Sequence, residues 1–182
     1  FLGLFCITAL QQGASAVTGL ELNRDRLRQA KCIADFLQLN PNYLRLDIED
    51  FPELQKHDVV LCLNVLHHLK NPVGVLRYLA LHTADTLIIE AAQFGVHDAN
   101  SLSKIWQKDM KLSGFAKAFL RRIFPAVLKS TNAAFVAPYS PSSFLRTFFF
   151  SKLALDTMLN SHMKLFSSVE IKSSSFKDRF FV

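Results

Sequence analysis

A chain of 182 residues with half of them apolar suits one domain with a sizeable core. No apolar run reaches the length of a membrane-spanning helix, and the apolar opening Phe1-Leu2-Gly3-Leu4 lacks the basic flank of a signal peptide. The net charge of +6 is unevenly held, because residues 101–165 carry 10 Lys/Arg against 2 Asp/Glu, whereas the first hundred residues are slightly acidic.

In chain order, residues 4–12 read as a helix after a glycine turn, stopped by Gly13. Residues 16–20 read as a strand ending at Glu21. Asn23 then caps a helix over 24–39, with Leu27, Ala30, Ala34 and Leu37 at helical spacing and Asn40-Pro41 as its stop. A second strand, 43–46, ends at Asp47, and a connector carrying Pro52 covers 48–57. Residues 59–63 form a continuous apolar run, the pattern of a strand buried on both faces, and it ends at Asn64. A loop with His67 and His68 leads to Asn71-Pro72, which opens a helix through about His82. Residues 86–89 make the next strand, ending at Glu90.

Past residue 93 the alternation breaks into basic, Phe-rich pieces. Residues 142–150 and 152–166 look helical, and 169–173 and 176–182 read as two strands joined by a tight Ser-rich turn. Cys6, Cys32 and Cys62 fall on a helix, a helix and a strand, so they read as reduced core thiols in a cytoplasmic protein. No Cys/His spacing supports a metal.

Alternating strands and helices predict an α/β fold with a doubly wound, mostly parallel sheet, whose ligands bind beyond the carboxyl ends of the strands. Glu21, Asp47, Asn64 and Glu90 all fall there. Gly3 precedes Glu21 by 18 positions, close to the spacing at which an acid reaches the ribose hydroxyls of a nucleotide while glycine admits it at the turn. Asp47 can accept from an adenine amine, or it can simply cap a turn. Gly3 can equally be an ordinary turn glycine, and Glu90 can either face a ligand or bind backbone.

The array Gly3…Gly13-Ala14…Gly19-Leu20-Glu21, then Leu46-Asp47-Ile48-Glu49-Asp50, then Asp58-Val59-Val60-Leu61-Cys62-Leu63-Asn64-Val65-Leu66-His67-His68-Leu69 resembles class I S-adenosylmethionine-dependent methyltransferases. The resemblance spans residues 1–92 at motif level, and the terminal strand pair matches the antiparallel hairpin that closes that family's sheet. It implies S-adenosyl-L-methionine as cofactor. Gly3 would be the last glycine of the cofactor turn, Glu21 the ribose acid, Asp47 the adenine acid, Ile48 a backbone contact and Asn64 a neighbour of the methionine moiety. The family's first strand should precede Phe1, so the chain reads as a fragment, expected to bind cofactor poorly alone. Its exposed neighbouring edges would be a folding liability.

The expected organisation is one methyltransferase-like domain over 1–182, with 93–165 a lid or acceptor insertion. There Lys104, Lys108, Lys111, Lys117, Arg121, Arg122 and Lys129 interleave with Trp106, Phe115, Phe119 and Phe124, a pattern suited to RNA, less well to a membrane surface, or to plain lid core. For a hydroxyl acceptor, His68 or His67 is the available general base, although either can instead pack or cap the loop. Two other readings stand beside methyl transfer to an unidentified acceptor, tRNA or a small molecule. One is a non-catalytic methyltransferase-like binding protein. The other is an NAD-dependent oxidoreductase, in which Glu21 would also serve a ribose.

Overall fold

The computed structural model describes residues 2–92, 136–138, 148–150, 152–164, 166–173 and 179–182. Two compact units, Phe1–Leu54 and Gln55–Val182, divide the chain, and each is built around its own parallel strand pair.

In the first unit, α1 (Leu4–Gln11) is followed by β1 (Thr18–Leu20), α2 (Arg24–Phe36) and β2 (Asn42–Leu44). β1 and β2 are parallel, with Thr18, Gly19 and Leu20 opposite Asn42, Tyr43 and Leu44. The ladder runs one step further at each end, through Asn42 N–H to Val17 C=O and Glu21 N–H to Leu44 C=O. Asn23 starts α2 as expected: its Oδ1 accepts from the Asp25 and Arg26 amides at 3.0 Å. Leu27, Ala30 and Ala34 form the buried stripe and pack with Tyr43 and Cys6. The helix stops three residues short of the expected Leu39. Gln38 turns left-handed (φ 56°), and the Leu39 amide reaches back to Ala34 C=O, so a C-terminal cap closes the helix ahead of Asn40-Pro41. Leu37, expected on the apolar stripe, is exposed as a result.

In the second unit, β3 (His57–Leu63) pairs in parallel with β4 (Thr83–Ala92), and α3 (Pro72–Leu81) crosses between them. Asn71 caps α3 through the Gly74 amide at 3.0 Å, with Pro72 in its first turn. β7 (Lys172–Ser173) and β8 (Arg179–Phe181) add antiparallel strands, giving the order β3-β4-β8-β7. β7 is shorter than the strand expected over 169–173, and residues 174–178, which include the start of the strand expected over 176–182, lie outside those described. Leu66, Val75, Leu76, Ile89 and Leu155 are the largest fully buried side chains among the described residues.

Three sequence expectations need correction in this unit. β3 is not buried on both faces: Val59 and Leu61 are exposed while Cys62, on the opposite face, is buried. Among the described residues β3 has strand β4 on one side only, and the face carrying Val59 and Leu61 is left to water. β4 starts earlier and ends later than expected, so Glu90 lies inside it rather than past its end. Glu90 pairs with Leu63 on one side and Phe181 on the other. Residues 148–150, expected as helix, form β6 (Phe148–Phe150), antiparallel to β5 (Val136–Pro138). Three consecutive Phe residues favour the extended chain, which outweighs the weak helical spacing around them. The following segment is helical as expected: α4 (Lys152–Asp156) runs into a π-helical stretch, Thr157–Met163.

The alternating helices and parallel strands are a Rossmann-like α/β arrangement. No helix among the described residues is long and apolar enough to cross a membrane.

Candidate functional site

The first unit carries a pocket between the α1 N-terminus and the end of β1. Leu2, Gly3, Phe5 and Cys6 form one wall; Gly19, Leu20 and Glu21 form another; Arg26, Ala30 and Tyr43 close it. Gly3 and Glu21 are thus brought together, as the spacing predicted. Gly3 is the residue before α1 and sits in the left-handed region (φ 75°), which glycine adopts without strain.

Glu21 leaves β1 at Leu20 and turns at once into α2. Its Oε1 accepts from the Asn23 amide at 2.9 Å, and Asn23 in turn caps the helix, so the carboxylate is held by a chain of backbone bonds. Arg45 Nε donates to Leu22 C=O at 3.3 Å and braces the same loop from the β2 side. The second carboxylate oxygen takes no part in that bond, and a carboxylate oxygen can accept from a hydroxyl.

Asp47 does not directly follow a strand, because β2 ends at Leu44 and Arg45-Leu46 intervene. Its Oδ1 accepts from the Glu49 amide at 2.9 Å and caps the 3-10 turn Ile48–Asp50. Neither Asp47 nor Ile48 lines the pocket of Gly3 and Glu21. Ile48 opens that turn, and its carbonyl accepts from Phe51.

Asn64 belongs to the second unit. It stands directly after β3 in the left-handed region (φ 59°), which Asn tolerates better than most residues, and its amide donates to Glu90 C=O at 3.2 Å. The 3-10 turn Leu66–His68 follows, with the His67 and His68 rings 4.1 Å apart. His67 is buried. His68 is exposed, yet partial desolvation lowers its pKa, so the ring is neutral near pH 7. Cys62 is buried and its thiol is pushed up to about 11 by desolvation, which leaves it protonated and inert. Cys32, expected in the core, is exposed on α2; Cys6 is half-buried, and all three thiols are free.

Among the described residues, no group of His, Cys, Asp and Glu could hold a metal ion. The basic residues from Lys104 to Lys129 and their aromatic neighbours lie outside the described residues. Sequence reasoning missed Arg26 and Tyr43 as walls of the pocket. Arg26 could have been found from its place in the first turn of α2, three residues past the cap. Tyr43 read only as a strand residue.

Residues 2–86 match a family described as "Methyltransferase domain". Across 99% of this chain and 67% of the other, the fold is similar to magnesium protoporphyrin IX methyltransferase from Synechocystis PCC 6803 solved with bound SAH, at TM-score 0.64 and 18% identity. A S-adenosylmethionine-dependent methyltransferase from Clostridium acetobutylicum is similar over 99% of this chain and 78% of that one, at TM-score 0.58 and 9% identity. These structures show that the fold is Rossmann-like, and residues 2–86 are similar to methyltransferase domains. Among curated proteins, the chain is 30% identical over 91 residues to tRNA U34 carboxymethyltransferase of Campylobacter concisus, 48% of this chain and 32% of that protein. It is 31% identical over 67 residues to ubiquinone biosynthesis O-methyltransferase of Glaesserella parasuis, 34% of this chain and 28% of that protein. The chain therefore spans about a third of the length of the curated relatives it matches.

Proposed function

We propose that this protein binds S-adenosylmethionine through Gly3, Glu21, Asp47 and Ile48 of the first unit and transfers its methyl group to RNA or to a small molecule. The observation that carries the reading is Glu21: a carboxylate at the end of β1, across one pocket from the α1 turn, with one oxygen engaged by backbone and one left for a sugar hydroxyl. The pocket walls fit a nucleoside, since Leu2, Phe5 and Leu20 offer apolar surface and Glu21 offers the acceptor. Asp47, capping the turn after β2, supplies a second acceptor suited to an exocyclic amine.

When bound, S-adenosylmethionine supplies an electrophilic methyl group on a sulfonium. The work left to this chain is to bind, to align and to receive one proton. Alignment of donor and acceptor can contribute on the order of 7–11 kcal/mol. For a hydroxyl acceptor the proton goes to a base, and His68, neutral at pH 7, is in the protonation state that role requires. An already nucleophilic acceptor needs no base.

The acceptor is RNA or a small molecule because the two curated relatives divide that way by name, and the basic excess of 101–165 favours a polyanion. One domain over 1–182 with 93–165 as the acceptor platform is the organisation that suits this reading. The test is transfer of label from methyl-tritiated S-adenosylmethionine to bulk tRNA and, separately, to a quinol-type phenol. Label in one of them, greatly reduced by Glu21→Gln, supports the reading and identifies the acceptor class. A chain that binds the cofactor product yet labels neither is a binding protein, and the transfer reading fails.

A further inference from the structure

Tyr43 projects from β2 into the space that two glycines leave open. A Cβ built on Gly3 would overlap the Tyr43 hydroxyl and lie 2.7 Å from its Cζ. One built on Gly19 would lie 2.8 Å from ring atom Cδ1, 2.9 Å from Cε1 and 2.8 Å from Cys6 Sγ. Both approaches are closer than real side chains accept, so the ring requires glycine on both sides. The phenol then donates to Gly3 C=O at 3.1 Å, across 40 residues of sequence. That same carbonyl accepts the first backbone bond of α1, from Ile7 N–H at 3.1 Å. The turn so held is a costly one: Leu2 (φ 41°) and Gly3 (φ 75°) are both left-handed, and a non-glycine residue in that region is strained.

We infer that Tyr43 is a positioning residue of the candidate nucleotide site, latching the Leu2–Gly3 turn against β2 so that the turn faces Glu21. This deepens the proposed function and rests on it for the identity of the ligand. The sequence reading gave Gly3 the task of admitting a cofactor; in the structure the volume its missing Cβ leaves is taken by Tyr43. Only 9% of Tyr43 is exposed, and burial, with the nearby Cys6, holds its hydroxyl above the ordinary tyrosine pKa. The phenol therefore keeps its proton, and with it the donor function, throughout the neutral range. It acts through the backbone of Gly3, so its effect on a ligand is indirect.

The test compares the wild-type chain, Tyr43→Phe and Leu27→Ala. Tyr43→Phe keeps the ring between the glycines and removes only the donor; Leu27→Ala damages the same core cluster without touching the turn. S-adenosylhomocysteine affinity is measured by calorimetry, and amide hydrogen exchange is followed at Ile7 without ligand. Tyr43→Phe should exchange Ile7 several-fold faster and bind about 3- to 10-fold more weakly, a range set by the net worth of one hydrogen bond. Leu27→Ala should melt earlier yet bind as wild type does while folded. Equal weakening by both variants would reduce Tyr43 to a core residue and overturn the inference, as would unchanged exchange at Ile7 in Tyr43→Phe. If wild type binds no S-adenosylhomocysteine, the ligand reading fails, and the exchange at Ile7 alone decides for or against the latch.

Discussion

Glu21 and Asp47 each engage one carboxylate oxygen with the backbone of the turn that follows. One oxygen of each accepts a backbone amide two residues ahead, so an amide side chain can keep the turn while giving up the second acceptor. Glu21→Gln and Asp47→Asn should therefore melt within about 0.5 kcal/mol of wild type, the usual range for surface changes that spare structure. A larger loss in circular-dichroism melts would mean the carboxylate charge serves the fold. Gly3→Ala should behave otherwise, because it combines a left-handed backbone with overlap on Tyr43, and a cost of about 2 kcal/mol or more is expected in the same melts. Buried Cys62 makes a pH prediction. Its thiol pKa is raised in the folded state to about 11, so the stability it contributes is fully present below the unfolded thiol pKa and is lost as pH rises through about 11. Roughly 2–3 kcal/mol should disappear across that alkaline window, and Cys62→Ala should flatten that part of a urea-denaturation profile. Glu21 was legible in the sequence because it falls at the end of β1, 18 residues past Gly3, whereas two residues separate Asp47 from the strand it was expected to end. Tyr43 was not legible, because its partner Gly3 lies 40 residues away and no local pattern links an aromatic on one strand to a distant helix turn.

The helices followed their punctuation, and the strands followed it less well. Asn23 and Asn71 were readable as caps because Asn before an apolar periodic run satisfies orphan amides. Asn23→Ala should cost about 1 kcal/mol in thermal or urea melts, and it should also loosen Glu21, whose Oε1 is held by the Asn23 amide. An unchanged melt would contradict the cap's place in the first unit. The end of α2 was misplaced because a left-handed Gln38 closes it, and glutamine carries no strong signal for that conformation. β4 was read too short because its first residues, Thr83-Ala84-Asp85, show no apolar run; Thr83 pairs with His57 and the register shifts before Thr86 pairs with Val59. β6 was read as helix because a strand of three residues is too short for alternation to show. Burial of β3 was overestimated for a different reason: a continuous apolar run says what a strand can bury, and its neighbours decide what it does bury. Exposed Val59 and Leu61 on β3 should promote self-association, so Leu61→Lys should lower light scattering at high protein concentration.

Across the whole molecule, alternation of strands and helices was enough to predict a Rossmann-like arrangement, since parallel strands need crossover helices. The structure gives it as two compact units, each with its own parallel pair, and residues 2–86 are similar to methyltransferase domains. Whether Glu21 and Asp47 hold an adenosyl nucleoside decides the proposed function. Calorimetric titration of S-adenosylhomocysteine and, separately, of NAD into the whole chain tests it most directly, with Glu21→Gln and Asp47→Asn measured alongside. Saturable binding of S-adenosylhomocysteine is expected, weakened about tenfold or more by each substitution as for a hydrogen bond to a charged group, with no binding of NAD. Binding of NAD in its place, or S-adenosylhomocysteine binding indifferent to both substitutions in folded protein, would contradict it.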